Sequence, residues 1–206
     1  TMASITPKEA LSRLREGNQR FVSGKLEPRD IAAEIRNTAS AAQPFAAVLG
    51  CIDSRVPPEL VFDQGLGALY CARVAGNIVD DAVLASLEFA CCVSGAALVV
   101  VLGHSDCGAV KGACNGLRQG TLTKALEKLA PAIAAASEAG GHSMPAGDDP
   151  SFVRSVAREN VALSLAEIKR LCPALAKAEA EGQVDLVGAF YDVETGEVVF
   201  SDVENP

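Results

Sequence analysis

The sequence predicts an α/β domain: a mainly parallel central sheet with one antiparallel edge strand, flanking helices and an N-terminal helical arm. Short, uninterrupted apolar runs are typical of strands that are buried on both faces of a parallel sheet. Longer segments with apolar residues at helical spacing separate these runs, which favours right-handed strand–helix–strand crossovers. A turn at Thr195-Gly196 predicts a hairpin whose second arm is the antiparallel strand. The four apolar runs lie at residues 45–51, 68–74, 97–102 and 184–191.

Helices are predicted between and before these strands. The first runs from Pro7 to Ser23, because Thr6 is a suitable N-cap and proline is favoured in the first helical turn. The stretch 140–150 is rich in glycine, proline and aspartate and is predicted to be a surface loop. Its His142 is either a solvated loop histidine or a proton shuttle. Three further helices are predicted at residues 78–93, 121–139 and 152–171.

Length and charge narrow the class of protein. A chain of 206 residues predicts one domain over residues 1–206, with residues 1–40 forming the helical arm. The chain has 26 acidic and 18 basic residues, so its net charge of −8 argues against nucleic acid or an anionic membrane as a partner. The apolar runs are far shorter than the roughly 20 residues of a membrane-spanning helix. The first residues show no basic stretch followed by an apolar one, so no secretory signal is expected.

The cysteines indicate a reducing environment. There are seven, an odd number that includes an adjacent pair, which is not typical of a disulfide framework. We expect the cytoplasm or another reducing compartment, although a targeting segment that has already been removed remains compatible with this reading. Five of the thiols are interpreted as small buried hydrophobic side chains. These are Cys71, Cys91, Cys92, Cys114 and Cys172.

Chemistry-bearing side chains follow two of the predicted strands. Cys51, Asp53 and Arg55 alternate directly after the first strand, so they share one face of an extended chain. His104 and Cys107 follow the third strand at a spacing that lets one tight turn present both to one ion. In open α/β sheets, ligands bind at the carboxyl ends of the strands. The two motifs are therefore expected to meet at one edge of the sheet.

Two thiolates and one imidazole form a donor set that suits zinc and leave one coordination position open, as in catalytic zinc sites. Asp53 is near enough to Cys51 in sequence to compete for that position. Plainer interpretations stay open at this point: strand-end cysteines that serve packing, a satisfied histidine, and an ordinary ion pair between Asp53 and Arg55. Spacing alone does not decide between them.

Longer motifs make the sequence resemble the β-class carbonic anhydrases. The similarity covers residues 45–113, which we interpret as the core of the zinc site, and extends to segments near both ends of the chain. It implies a zinc-dependent lyase that hydrates CO2 reversibly to bicarbonate and a proton by means of a zinc-bound hydroxide. The segments are CIDSRVPPELVF, ARVAGNIV, SLEFA, VVVLGHSDCGAVKGA, LREGNQRF and GAFYDVETGEV.

The resemblance also assigns roles within the site. It implies that Cys51, His104 and Cys107 bind one Zn²⁺ per chain. Asp53 and Arg55 match a catalytic pair in which the arginine holds the carboxylate off the metal. The chain has no tryptophan, and Val48 stands where a subset of the family uses one in a regulatory bicarbonate pocket. The resemblance therefore implies a constitutively open site.

Four residues correspond by position to substrate-binding residues of the family. Tyr70 aligns with a pocket aromatic, and Phe89 with an aromatic residue contributed across a dimer interface. Gln43 lies one residue from a glutamine that lines the pocket. Gly108 offers a backbone N–H to a substrate oxygen. Core packing is the alternative reading for Tyr70, Phe89 and Gln43.

The resemblance implies a homodimer or a dimer of dimers. The N-terminal helix of each subunit would either wrap around the partner subunit or pack on its own subunit. Three rival functions stay open: hydrolysis of CS2 or COS by the same chemistry, a structural zinc site closed by Asp53, and a redox role for Cys51 or Cys107.

Overall fold

The computed structural model describes residues 5–140 and 147–201. Within these residues, five strands form one sheet in the order β2-β1-β3-β4-β5. The first four strands are parallel, and β5 pairs with β4 in the antiparallel direction. The predicted fold class is confirmed. The strands are β1 (Ala46–Gly50), β2 (Leu69–Arg73), β3 (Leu98–His104), β4 (Asp185–Tyr191) and β5 (Val198–Phe200).

Helices cover both faces of the sheet. The prediction for α1 matches at both ends, where Thr6 and Glu9 form a capping box and Gly24 ends the helix in a left-handed conformation. The helices are α1 (Pro7–Ser23), α2 (Ile31–Thr38), α3 (Pro58–Val61), α4 (Asp81–Glu88, continued by one wider turn over Phe89–Val93), α5 (Gly108–Cys114), α6 (Leu122–Glu127), α7 (Ala130–Gly140), α8 (Pro150–Leu171) and α9 (Pro173–Ala180).

Three predicted helices have different boundaries. The segment 121–139 divides into α6 and α7, because Pro131 has no N–H to continue α6 and suits the first turn of a new helix. The segment 78–93 becomes helical only from Asp81, since the side chain of Asp80 caps the first turn. Helix α8 begins at Pro150, where Asp149 is the N-cap. His142 and most of the predicted loop around it lie outside the described residues.

The core lies on both sides of the sheet. Alternate residues of β1 and β3 point to opposite faces, so Ala47 and Val99 pack on the side of α4, α8 and α9, whereas Val48 and Val100 pack on the side of α1. A third apolar cluster surrounds Cys51 and Cys107. No helix in the described part of the chain combines the length and the apolar character that crossing a bilayer requires.

Helix α1 packs on its own subunit. Ala10 and Leu14 are fully buried against the sheet. Asn18 donates hydrogen bonds to the carbonyls of Val61 and Gly196, and its side-chain oxygen accepts one from the N–H of Val198. Of the two arrangements that the sequence left open, the structure therefore shows the second for α1. Helix α2 has no buried residue, which leaves its apolar side chains exposed.

Asp63 anchors the N-terminal segment to the loop after α3. Its carboxylate accepts hydrogen bonds from Arg20 at 2.6 Å, from Arg29 at 3.0 Å and from the N–H of Glu27 at 3.2 Å. Burial raises the pKa of this carboxyl, but the hydrogen bonds outweigh burial, so the pKa lies below its ordinary value. The ionised form of Asp63 therefore stabilises the fold.

We expect Asp63→Asn to lower the free energy of unfolding at pH 7 by about 2 kcal/mol, because two charge-assisted hydrogen bonds lose their acceptor charge. Asparagine tolerates the left-handed backbone at this position (φ 47°), so the change isolates the charge. Because the folded-state pKa is lowered, the difference is complete above the unfolded pKa and disappears as the pH falls through the folded pKa. Denaturant unfolding at several pH values measures it. An equal loss from the exposed control Glu138→Gln would contradict this assignment.

Candidate metal centre

Two neighbouring parallel strands deliver the candidate ligands to one edge of the sheet. Cys51 follows the last residue of β1, Gly50, which is paired with Leu102 of β3. Strand β3 runs two residues further and ends at His104. A tight turn with Asp106 in a left-handed conformation (φ 52°) then brings Cys107 to the start of α5. The fold thus brings together side chains that are more than fifty positions apart.

The three side chains fit a zinc ion. All are buried, and their candidate ligand atoms lie within 4.8 Å of one another. The sulfur atoms of Cys51 and Cys107 are 3.9 Å apart. Two thiolates bound at the usual Zn–S length in tetrahedral geometry are separated by about 3.8 Å. The spacing of the thiols therefore suits a shared ion.

His104 is held with one ring nitrogen free to bind a metal. Its Nδ1 lies 2.9 Å from the carbonyl oxygen of Ser105, which can only accept, so Nδ1 carries the proton. Its Nε2 is buried and has no hydrogen-bond partner among residues 5–140 and 147–201. A buried acceptor without a partner is unfavourable unless something binds it. A metal ion shared with the two thiols would satisfy this atom.

The two thiols differ in acidity. The hydrogen bond from Cys107 lowers the pKa of Cys51, burial opposes this, and the N–H of Gly76 lowers it further. The pKa of Cys107 is raised, because its thiol donates to Cys51 and because it is buried. The contact between the two sulfur atoms therefore stabilises one thiolate at this centre, and a thiolate is the form that binds a metal.

Arg55 holds Asp53 in a two-pronged ion pair. Its Nε and one terminal nitrogen donate to the two carboxylate oxygens of Asp53 at 3.0 and 2.7 Å. These bonds lower the pKa of Asp53 to about 2. Within the described residues, Asp53 is not a member of the group of potential metal ligands. The carboxylate lies beside that group, ionised and already paired.

Two contacts at this edge are not predicted by the sequence analysis. Arg55 also donates to a side-chain oxygen and to the carbonyl of Asp106, at 2.9 and 3.0 Å. Arg73, the last residue of β2, donates to the carbonyls of Cys51 and Asp53 at 2.9 and 2.6 Å. Arg55 lies in the segment CIDSRVPPELVF and Arg73 in ARVAGNIV. The position of each arginine near the end of a strand could have indicated these contacts.

The four candidate substrate-binding residues lie in three places. Gly108 is exposed and begins α5 directly after Cys107. Tyr70 and Phe89 stack edge to face, with ring centroids 6.3 Å apart, and line a groove of about 450 Å³. No candidate metal ligand is among the described residues that line this groove. Gln43 is exposed and precedes β1, at the edge of the sheet opposite Cys51. A single chain does not bring these three residues to its own candidate metal centre.

Comparison with known proteins identifies the family. A family model described as carbonic anhydrase matches residues 46–198. The chain belongs to the carbonic anhydrase family. It is 35% identical to carbonic anhydrase 2 of Mycobacterium tuberculosis over 207 residues, which covers 98% of this chain and 96% of the relative. It is 36% identical to the carbonic anhydrase of Pseudomonas aeruginosa over 171 residues, or 79% of this chain and 76% of the relative.

Solved structures place the chain in the β class of carbonic anhydrases. The β-carbonic anhydrase CcaA is similar with a TM-score of 0.75 and 26% identity, over 93% of this chain and 95% of that one. A tetrameric β-carbonic anhydrase of Sordaria macrospora shares the fold with a TM-score of 0.72 and 24% identity, over 82% of this chain and 89% of that one. The resemblance predicted from the motifs is confirmed. As a carbonic anhydrase, the chain is a zinc-dependent lyase that interconverts CO2 and bicarbonate.

We expect Cys107→Ser to lose most of the bound zinc, because a serine hydroxyl is a poor substitute for a thiolate ligand. Metal analysis of purified protein gives the zinc content per chain. Cys114→Ser is the matched control, since Cys114 is also buried and lies at the far end of the same helix, α5. Full zinc retention in Cys107→Ser would overturn the ligand assignment.

Proposed function

We propose that Cys51, His104 and Cys107 hold the zinc ion with which this chain hydrates CO2, and that Asp53 and Arg55 are its catalytic pair. One observation carries the proposal. The buried Nε2 of His104, which has no hydrogen-bond partner in the described part of the chain, and two buried thiols converge beside a carboxylate that an arginine holds. This arrangement offers three protein ligands and leaves the remaining position to water, as in catalytic zinc sites.

The chemistry divides between the ion and the chain. When bound, zinc supplies a positive charge that lowers the pKa of a water molecule towards neutrality. The ionised Asp53 has hydrogen-bond acceptors but no donor, so it would orient a water molecule at this site by accepting one of its hydrogens. Arg55 keeps the carboxylate charged and fixed in direction, and by occupying both of its oxygens it opposes binding of Asp53 to the metal. The overall reaction is CO2 + H2O ⇌ HCO3⁻ + H⁺, and the proton passes to buffer.

The expected pH profile follows from the ligand charges. Two thiolates place more negative charge on the metal than histidine ligands do, so the water is acidified less. Hydration activity is therefore expected to rise towards alkaline pH. Asp53 does not limit this range, because its pKa of about 2 keeps it ionised from mildly acidic to alkaline pH. The pairing with Arg55, and Val48 in place of a tryptophan, support the constitutively open form of the site.

Stopped-flow CO2 hydration on zinc-quantified protein at about pH 8.5 tests the function, since activity is expected to be higher there than at neutral pH. Fast, zinc-dependent turnover is expected. No turnover with one zinc per chain would transfer the assignment to CS2 or COS, or to a structural zinc site closed by Asp53. A rate that is flat between neutral and alkaline pH would contradict the proposed role of the thiolates.

We expect Asp53→Asn to retain zinc and to lower turnover by roughly 100-fold, because the amide can donate to the water and no longer enforces its orientation. Asp106→Asn is the matched control, because Asp106 binds the same guanidinium but is the more exposed of the two carboxylates. We expect a smaller loss there. Equal losses in both variants would assign the effect to Arg55, and unchanged turnover in Asp53→Asn would remove Asp53 from the mechanism.

A homo-oligomer fits the exposed surface. Strand β2 is an edge strand with half-buried residues, and beside it Phe89 is 53% and Val93 is 71% exposed. An open sheet edge beside apolar side chains is a typical pairing surface. We assign it to a second copy of the chain, as a dimer or a dimer of dimers, and one structure with this fold is described as tetrameric. Tyr70, Phe89 and Gln43 are then assigned to substrate binding at the centre of the partner subunit.

We expect Phe89→Glu to shift the protein towards the monomer, because the charge would be buried in the proposed interface. Light scattering after size exclusion reports the mass. Val199→Glu is the control, since Val199 is 59% exposed on β5 at the opposite edge of the sheet. Dissociation of the Val199 variant alone would place the interface at that edge instead.

Location and domain organisation complete the proposal. All seven cysteines are free thiols, which supports a reducing compartment such as the cytoplasm. Residues 45–113 contain every proposed ligand and the catalytic pair, in agreement with their assignment as the core of the zinc site within one domain over residues 1–206. The helical arm over residues 1–40 stays a prediction, with α2 as its exposed part.

A further inference from the structure

A backbone N–H lies behind the candidate ligand Cys51. The N–H of Gly76 donates to the sulfur of Cys51 at 3.4 Å. Gly76 belongs to a short 3₁₀ turn between β2 and α4 and has a left-handed backbone (φ 71°) that favours glycine. An added Cβ would also lie 3.3 Å from Leu129 and 3.4 Å from Ala109. The backbone conformation of this turn directs the N–H of Gly76 at the sulfur of Cys51.

The same glycine is held from the other side by Asn160. The side-chain amide of Asn160, on α8, donates to the carbonyl of Gly76 at 2.9 Å. Asn160 is 5% exposed, and this contact joins positions 84 residues apart. Glycine has the widest backbone freedom of any residue, so a hydrogen bond to its carbonyl restricts the rotation that would turn its N–H away from Cys51.

We propose that Asn160 is a positioning residue for the metal centre, acting through Gly76 on the thiolate of Cys51. The inference rests on the proposed role of Cys51 as a zinc ligand. A hydrogen bond to a thiolate withdraws electron density from sulfur, so Cys51 donates less charge to the metal. The hydrogen bond from Gly76 thereby offsets part of the negative charge that two thiolates would place on the metal. Groups behind the ligands typically change metal affinity by about 10- to 100-fold.

Burial of a polar amide in α8 supports this role. A leucine of similar size would pack in such a position without the unfavourable desolvation of an amide. The amide of Asn160 donates to the carbonyl of a residue that contacts the metal centre. Ser164, a buried polar residue one turn further along α8, forms no hydrogen bond with that turn among the described residues. A merely structural amide would stabilise the fold without altering the electronic properties of the site.

The test uses full-length protein in which NMR-active cadmium replaces zinc. A scalar coupling between the metal and the amide proton of Gly76 reports the N–H···S hydrogen bond directly. We expect this coupling in the wild type and in Ser164→Ala, and its loss in Asn160→Leu. We also expect Asn160→Leu to lose metal to a chelator about tenfold faster. In cobalt-substituted protein, its sulfur-to-metal charge-transfer band should shift to lower energy, because the thiolate becomes a stronger donor.

Each result has a distinct meaning. Failure of the wild type to bind cadmium would overturn the ligand assignment of the proposed function. One bound cadmium per chain without coupling to Gly76 would overturn the present inference while leaving the proposed function intact. Coupling, metal release and the cobalt spectrum all unchanged in Asn160→Leu would reduce Asn160 to a packing residue. If Asn160→Leu does not fold, Asn160→Ala is measured in the same way, and the wild-type coupling still decides whether Gly76 is the donor.

Discussion

The pairing of β1 with β3 is the constraint on which the rest of the structure depends. The two strands are parallel and adjacent, so their carboxyl ends meet, and the residues that follow them must share one small volume. Both strands are buried on both faces, which fixes their register through the apolar side chains on each side. A slip of one residue would turn the ligand side chains away from one another. The metal centre is therefore a consequence of how the core packs.

Guanidinium groups then connect the loops that leave the sheet. Arg55 binds Asp53 on its own loop and Asp106 on the loop that joins the two ligands of the second motif. Arg73 holds the carbonyls of Cys51 and Asp53 from the neighbouring strand. These charged contacts fix the direction of the Asp53 carboxylate, and such preorganisation would suit the catalytic role proposed for it.

The sequence predicts the parts of this site that are local in the chain. Cys51 ends the first apolar run, and His104 and Cys107 lie two and five residues after the third, which predicts that all three lie at one edge of a parallel sheet. Asn160 and Gly76 could not be paired in this way, because their contact depends on how α8 lies on the sheet. The sequence also could not predict that Tyr70 and Phe89 line a groove separate from the candidate metal centre of the same chain. This separation depends on where Tyr70 lies along β2. The break at Pro131 was visible in the sequence but was covered by the apolar periodicity on both sides.

Strand β4 helps to position His104 but is synthesised after it. The carbonyl of Tyr191, at the end of β4, accepts a hydrogen bond from the N–H of Ser105, and the N–H of Val193 donates to the Ser105 hydroxyl. Ser105 in turn fixes the ring of His104. During synthesis on the ribosome, all the proposed ligand residues therefore emerge well before the segment that orients the histidine. A nascent chain therefore carries the thiols and the imidazole before the C-terminal strand that helps to orient His104 is in place.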